Sequence, residues 1–410
     1  MVLPVFPELS TTFVLAQITG LLDRGHDVHL YPLDTRSFAG AHADVHRYGL
    51  EDRLRHLPVP RSRRERAATA LRHVLRPAAW HASLLRALDP RLGRVAGSLV
   101  QLYTTLSFLR ERPYDVVHCQ FGNLAPQTLA LLESGATGGR LVVSFRGADA
   151  SRFLRASPRM YDRVFARGDA FLPVCHAFRE RLIAAGAPAD RTRVLHSGID
   201  LARFEFRERT RAQGAPTRLL FVGRLAEKKG VLDLVAAAGR VTATGRELEL
   251  TIVGTGPLRD EVARAVADAG LEDRVRMLGG RTHHEVVEAM HRGHLLAAPS
   301  VTAPNGDQEG IPNVLKEAMA TGMPVLATRH SGIPELVRDG VSGHLVDEGD
   351  VEGLARRLGE LIDAPDRWVA MGRAGRETVE RDFDIRHLND TLVEIYRQAS
   401  ARPSRRSASA

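Results

Sequence analysis

RLLFVGRLAEKKGVLDLVAAA, residues 218–238, runs from an apolar stretch through Gly223-Arg224 and Glu227-Lys228-Lys229-Gly230 into a segment of helical character. The stretch reads as a buried strand, a glycine-bounded charged turn and a helix. Strand followed by helix is the unit of parallel α/β sheets. In open sheets of this kind, ligands bind outside the carboxyl ends of the strands. Arg224 can grip phosphate oxygens as a fork, and Lys229 can meet them as a point charge. A plain charged turn is the alternative, and Lys228 reads as no more than that.

The same alternation extends in both directions from about residue 112. Strand-like runs fall at 115–118, 141–145, 170–173, 193–195, 219–223, 248–253, 275–278, 295–299, 325–327 and 343–346, most of them separated by helical segments. This many strands exceed one ordinary doubly wound sheet, so they divide into two. The division falls near RFEFRERTRAQGAPT, residues 203–217, which is charged, contains Gly214 and Pro216, and reads as a linker. The organisation expected is an N-terminal domain over 1–205, a C-terminal domain over 217–384, a helix over 385–400 packing back on the first domain, and a disordered tail over 401–410.

The chain has 410 residues, 44% hydrophobic and 26% charged, as in an ordinary globular protein of two or three domains. Two scattered cysteines, Cys119 and Cys175, make neither a disulfide framework nor a metal site, which fits a reducing cytosol. MVLPVFPELSTTF lacks a basic start, and no apolar run reaches the length of a membrane span. The net charge of +8 is uneven: about 31 Arg stand against 20 acids in residues 1–213, while the remainder is roughly −3. The three lysines, Lys228, Lys229 and Lys316, all fall in the chemistry-bearing segments, which favours point-charge contacts to phosphate there. Residues 53–94 hold about 11 Arg against Glu65 and Asp89, with Leu71, Val74, Leu75, Trp80, Leu84, Leu85 and Leu88 at helical spacing. Such a helix suits an anionic membrane surface, and equally a solvated helix packing on its own domain. Despite the basic charge, no base-stacking aromatic cluster is present, so nucleic acid is not expected as a partner.

PSVTAPNGDQEGIPNVLKEAMATGMPVLATRHSGIPE, residues 299–335, carries Glu309 and Glu317 eight positions apart. A strand ends at Pro299, a polar loop follows, and a helix begins near Pro312, where proline suits the first turn. Free amides at that helix start would suit a phosphate. Glu309 before the helix and Glu317 inside it could then meet different parts of one ligand. The alternative is two surface carboxylates near a helix start. In LELTIVGTGPLRDEV, residues 248–262, Gly254-x-Gly256 follows a strand. Arg259 stands where a dinucleotide fingerprint needs its third glycine, and no acid follows at the right distance. That excludes a NAD-binding reading, and no P-loop motif is present.

Together these segments resemble the donor-binding domain of family-4 retaining glycosyltransferases, which have the GT-B fold: α/β, with two Rossmann-like doubly wound domains facing a cleft. The set is strand-GR-x4-KG-helix, strand-G-x-GP, and E-G-x-P-x4-E followed by A-x-G-x-PV-x5-SG-x2-E. FPELSTTFVLAQITGLLDRGHDVHLYPL is similar to the first strand, phosphate loop and helix of the exopolysaccharide, colanic-acid-type subgroup. The short strand before Pro7 suggests a start annotated a few residues late.

The resemblance implies transfer of a hexose from UDP or GDP to a hydroxyl acceptor, such as a lipid-linked saccharide in cell-envelope glycan synthesis. Arg224 and Lys229 would neutralise the diphosphate, Glu309 would hold the transferred sugar, and Glu317 the ribose hydroxyls. Met277 and Leu278 would line the base pocket. Gly254, Gly256, Gly310, Ile311 and Pro312 would shape the donor site. Ser10, Thr11 and Thr12 would offer amides and hydroxyls to the phosphate. His118 and Gln120 would face the acceptor side, with Arg146 standing where many relatives have histidine, and Asp149 as a further candidate. A strand-end histidine is as readily a hydrogen-bonded core residue.

No D-x-D motif is evident, so no essential metal or cofactor is expected. A cytoplasmic protein, peripheral on the inner membrane face, is the expectation. The alternatives are a glycosyltransferase of small natural products, a phosphorylase, a nucleotide-sugar epimerase and a non-catalytic sugar-binding subunit.

Overall fold

The computed structural model describes residues 1–8, 12–55, 62, 64, 65, 68, 105, 108 and 113–401. Ser10, Thr11, most of the basic segment 53–94, and the expected disordered tail from 402 onward lie outside the described residues. The chain divides into two compact units. One comprises Met1–Pro173, Arg179–Leu195 and Asn389–Ala410; the other comprises Val174–Phe178 and His196–Leu388.

The first unit holds a five-stranded sheet of order β2-β1-β3-β4-β5, with every pairing parallel. Its strands are β1 Val2–Phe6, β2 Tyr31–Thr35, β3 Val116–Cys119, β4 Arg140–Phe145 and β5 Ala170–Pro173. In β4 the sequence LVVSF is buried throughout. Such continuous burial is what a parallel sheet covered on both faces requires. The run 193–195 expected as a strand is not one. Arg193 and Leu195 donate amides to the Phe171 and Pro173 carbonyls, but Phe171–Thr192 is only an isolated bridge. Two hydrogen bonds along the edge of β5 do not extend into a ladder. From Asn389 onward, the last helix, Ile385–Ala401, belongs to this unit.

The second unit holds a six-stranded parallel sheet of order β11-β10-β9-β6-β7-β8. Its strands are β6 Thr217–Val222, β7 Leu248–Val253, β8 Val275–Gly279, β9 Leu295–Ala298, β10 Val325–Thr328 and β11 Gly343–Val346. The helix Val231–Ala243 buries Val231, Leu234, Val235, Ala238 and Val241 at helical spacing. They join Leu219, Phe221, Leu250 and Ile252 in one core.

The charged stretch 203–217 is packed within this unit. Arg209 is 4% exposed and donates to the Thr321 carbonyl, which also accepts the Arg207 amide. Among the described residues, no helix is long and apolar enough to cross a membrane.

Strand order locates the place where a ligand can sit. From β6 the chain adds β7 and β8 on one side, then returns to place β9 on the other. Connections leaving β6 and β9 therefore diverge, opening a crevice at their carboxyl ends. The same reversal occurs between β1 and β3 in the first unit.

Candidate functional site

At the switch point of the second sheet, the turn after β6 meets the loop after β9. The turn is a short 3-10 segment, Glu227–Lys229, ended by Gly230 in the left-handed conformation, φ 63° and ψ 25°. A Cβ at Gly230 would lie 1.8 Å from the Pro299 carbonyl oxygen, so the turn presses on the end of β9. Only glycine combines that conformation with that approach. This contact delivers Lys228 and Lys229 to Glu309. Lys228 Nζ lies 2.9 Å from Glu309 Oε1 and 3.2 Å from Asp307 Oδ2; Lys229 Nζ lies 3.1 Å from Glu309 Oε2.

Burial opposes ionisation of Glu309, but Lys229 and Lys228 more than offset it and hold its carboxyl at about 2. Despite its own burial, Lys228 is held above the ordinary lysine value by Glu309 and Asp307. Arg224, in the turn after β6, is exposed and, among the described residues, has no ion-pair partner.

The turn after β7 supplies the neighbouring wall. Gly254 has φ 142°, and a Cβ there would lie 1.8 Å from the Gly223 carbonyl oxygen; at Gly256 it would lie 2.3 Å from the Leu225 oxygen. The two glycine turns thus stack backbone on backbone. The Gly254 amide bonds the Gly279 carbonyl at 2.8 Å. That brings in the end of β8, where Met277 and Leu278 are half-buried.

Beyond Glu309, Gly310, Ile311 and Pro312 are buried, and Pro312 caps the helix Asn313–Ala320 without a side-chain bond to its amides. Glu317 lies inside that helix, half-buried, and burial pushes its carboxyl up to about 7. Its side chain has no hydrogen-bond partner among the described residues. A free carboxyl of this kind is suited to accept hydroxyl donors from a ligand.

Several assignments change with the geometry. Lys228, read as a turn residue, is the lysine that bridges Glu309 and Asp307. Lys316, read with the phosphate-binding lysines, is fully buried; its ammonium donates to the Ser197 carbonyl at 2.6 Å and lies 5.6 Å from the Phe383 ring. It holds the unit together instead.

His118 is 1% exposed, and both ring nitrogens are engaged: Nε2 with Ser144 Oγ at 2.9 Å and Nδ1 with Tyr396 Oη at 2.6 Å. The structure makes it a core residue with no open face for an acceptor, correcting the catalytic assignment. Gln120 is likewise buried. Arg146 is half-buried and donates to Gln120 Oε1 at 2.7 Å and Gln17 Oε1 at 2.9 Å, and it lies over the Phe13 ring. Asp149 is 2% exposed and accepts amides of Gly122, Arg146, Gly147 and Ala150, so it shapes the loop after β4. Thr12 opens the helix Thr12–Asp23 after β1.

Sequence reasoning did not single out His330 or Glu348. The Glu309 amide donates to His330 Nε2 at 3.1 Å, and His330 Nδ1 is 2.6 Å from Glu348 Oε1. The only local signal was the neighbouring SG-x2-E motif.

Comparison with known proteins places the chain. The family described as glycosyl transferases group 1 matches residues 202–378, and Glycosyltransferase Family 4 matches residues 10–203. WcaL of Salmonella typhimurium, a glycosyltransferase named for colanic acid biosynthesis, is 35% identical over 95% of this chain and 97% of its own length. The amylovoran biosynthesis glycosyltransferase AmsK of Erwinia amylovora is 34% identical, with the same coverage of both chains. Among solved structures, Alr3699/HepE of Anabaena in complex with UDP and glucose superposes with a TM-score of 0.71. It covers 97% of this chain and 99% of that one, at 18% identity. The two parallel sheets are those of the GT-B fold. By the identity and coverage of these relatives, the chain belongs to the glycosyltransferases that act with nucleotide sugars, in the group named for exopolysaccharide biosynthesis.

Proposed function

We propose that this protein moves a hexose from UDP or GDP to a hydroxyl of a lipid-linked saccharide, with retention of anomeric configuration and without a metal ion. The observation that carries the reading is the Lys228–Glu309–Lys229 cluster at the switch point, with the exposed Arg224 in the turn that brings the lysines and the unpartnered Glu317 in the helix that follows Glu309. One ligand with a ribose, a diphosphate and a sugar matches these groups in order. Glu317 accepts the ribose hydroxyls, Arg224 and Lys229 take the phosphates, and Glu309 accepts the sugar hydroxyls. The UDP and glucose bound by the Anabaena protein support UDP as the nucleotide.

Breaking the bond between the anomeric carbon and the phosphate oxygen leaves growing negative charge on the diphosphate. Fixed cations lower the barrier to that departure. The acceptor oxygen then bonds the anomeric carbon on the face the phosphate leaves, and its proton passes to the departing phosphate oxygen. Retention rests on the family resemblance. Arg224 and Lys229 supply the charge that a metal would otherwise supply.

The acceptor class rests on the relatives' names and on the basic, apolar-faced sequence 53–94, which suits an anionic membrane surface. The test is incubation of labelled UDP- and GDP-sugars with a membrane lipid extract, with and without EDTA. Label entering the organic phase in both conditions, with retained configuration by NMR, is the expected result. Label on a water-soluble product, an inverted linkage, or loss in EDTA that Mg²⁺ restores would each refute the corresponding part.

A further inference from the structure

The second sheet places β11, β10, β9 and β6 side by side, and one polar group follows each strand end in the same order. Glu348 follows β11, His330 follows β10, Glu309 lies in the loop after β9, and Lys228 and Lys229 follow β6. These groups bond in sequence across the sheet edge. Glu348 Oε2 accepts the Thr302 amide at 2.6 Å, while Oε1 pairs with His330 Nδ1 at 2.6 Å. His330 Nε2 accepts the Glu309 amide at 3.1 Å. The carboxylate of Glu309 then meets the two lysines.

The chemistry fixes the imidazole. A backbone N–H only donates, so Nε2 must carry a lone pair; a carboxylate only accepts, so Nδ1 carries the proton. His330 is fully buried, so no water substitutes for either partner. The turn carrying it is anchored as well. Ser331 takes φ 48°, and the Gly332 amide donates to the Gly310 carbonyl at 3.2 Å. A Cβ at Gly332 would lie 2.4 Å from Cys175 Cβ and 2.7 Å from Ile311, so the turn is seated tightly. Glu309-Gly310 is thus clasped by two bonds from the turn after β10.

We infer that His330, held in one tautomer by Glu348, is a positioning residue that aims the Glu309 carboxylate at the transferred sugar. This rests on the reading of Glu309 as the sugar-binding carboxylate. Without the clasp, the Glu309 backbone loses its bond to the turn after β10 and the carboxylate loses its register with the sugar hydroxyls. The nucleotide part of the donor, held by Arg224 and Glu317, is unaffected.

The test compares affinities by calorimetry for UDP and UDP-glucose, and for GDP and GDP-mannose, in the intact chain. The pair that the unaltered protein binds is then carried through the variants. His330→Leu is expected to weaken the nucleotide sugar tenfold or more while changing the bare nucleotide less than twofold. His330→Gln keeps an acceptor near the Nε2 position and is expected to recover most of that loss. Glu348→Gln offers an amide donor to Nδ1, favours the other tautomer, and is expected to behave like His330→Leu. The double variant His330→Leu/Glu309→Ala should bind the nucleotide sugar no worse than Glu309→Ala alone.

Equal weakening of nucleotide and nucleotide sugar in His330→Leu, or no weakening of either, overturns the positioning role. Failure of His330→Gln to recover, or additive losses in the double variant, does the same. If Glu309→Ala itself leaves the ratio of the two affinities unchanged, or if the unaltered protein binds neither pair, the donor-site reading fails rather than the clasp.

Discussion

Glu317→Gln should make this protein more stable at alkaline pH while removing its grip on nucleotide. Glu317 is an ordinary glutamate in the unfolded chain, near 4.5, and sits at about 7 in the fold because burial disfavours its charge. That difference corresponds to about 3 kcal/mol. Its sign follows from linkage. Below about pH 4.5 the carboxyl is neutral in both states, and the fold carries no penalty. As pH rises toward 7 the unfolded chain ionises first, and stability is progressively lost. Above pH 7 the whole cost is present. Glutamine is neutral at every pH, so the variant should match the unaltered protein near pH 4.5 and exceed it by up to about 3 kcal/mol at pH 8. For a unit of this size that is several degrees in the unfolding midpoint.

Ligand binding adds a second signature. Ribose hydroxyls donate to the carboxylate, so nucleotide binding releases a proton below pH 7. UDP or GDP affinity should fall about fivefold from pH 7 to pH 6, and the glutamine variant should show weak, pH-independent binding. Thermal unfolding at pH 5, 6.5 and 8, with and without nucleotide, measures both. A midpoint difference that is the same at pH 5 and pH 8, or an unaltered protein more stable than the variant at pH 8, would refute the reasoning.

Glu309→Ala and Lys229→Ala should each lower turnover at least a hundredfold in a folded protein, about 3 kcal/mol of transition-state stabilisation. Near-normal kcat in both would contradict their assignment. Because Glu309 stays ionised down to about pH 2, it adds nothing to the pH dependence of affinity on acidification to pH 5. The fall in affinity on acidification should therefore vanish in Glu317→Gln. Gly254→Ala forces a Cβ onto the Gly223 carbonyl; it should destabilise by more than about 2 kcal/mol and abolish nucleotide binding, read by denaturant midpoint and calorimetry. Lys316→Met leaves the Ser197 carbonyl without its donor and should cost about 1–3 kcal/mol in unfolding, read by denaturant midpoint.

What was legible in the sequence was local. The strand-to-turn-to-helix passage at 218–238 needs only neighbouring residues, and the glycines at 230, 254 and 256 mark turns whose tightness any Cβ would prevent. Two sheets followed from counting strands, and the carboxyl end of the strand at 219–223 followed as a ligand-binding edge from the open-sheet rule; the strand order that makes it a switch point did not. Long-range partners were not legible. Lys228 acquires its role from Asp307 and Glu309, far along the chain. His118 loses its expected role because Tyr396, 278 positions away, closes over it. Lys316 lies in the same helix as Glu317 but on its buried side, a distinction of one position that spacing alone did not resolve. His330 and Glu348 become partners only because β10 and β11 are adjacent in the sheet. The run 193–195 had the composition of a strand but only the edge of β5 to pair with.

The most direct test of the central claim is calorimetric titration of UDP, UDP-glucose, GDP and GDP-mannose into the unaltered protein and into Arg224→Ala and Lys229→Ala, all in EDTA. The account predicts metal-free binding of one nucleotide and its sugar by the unaltered protein, and a loss of tenfold or more in each variant. Binding that depends on added metal, or that survives both substitutions unchanged, would contradict it.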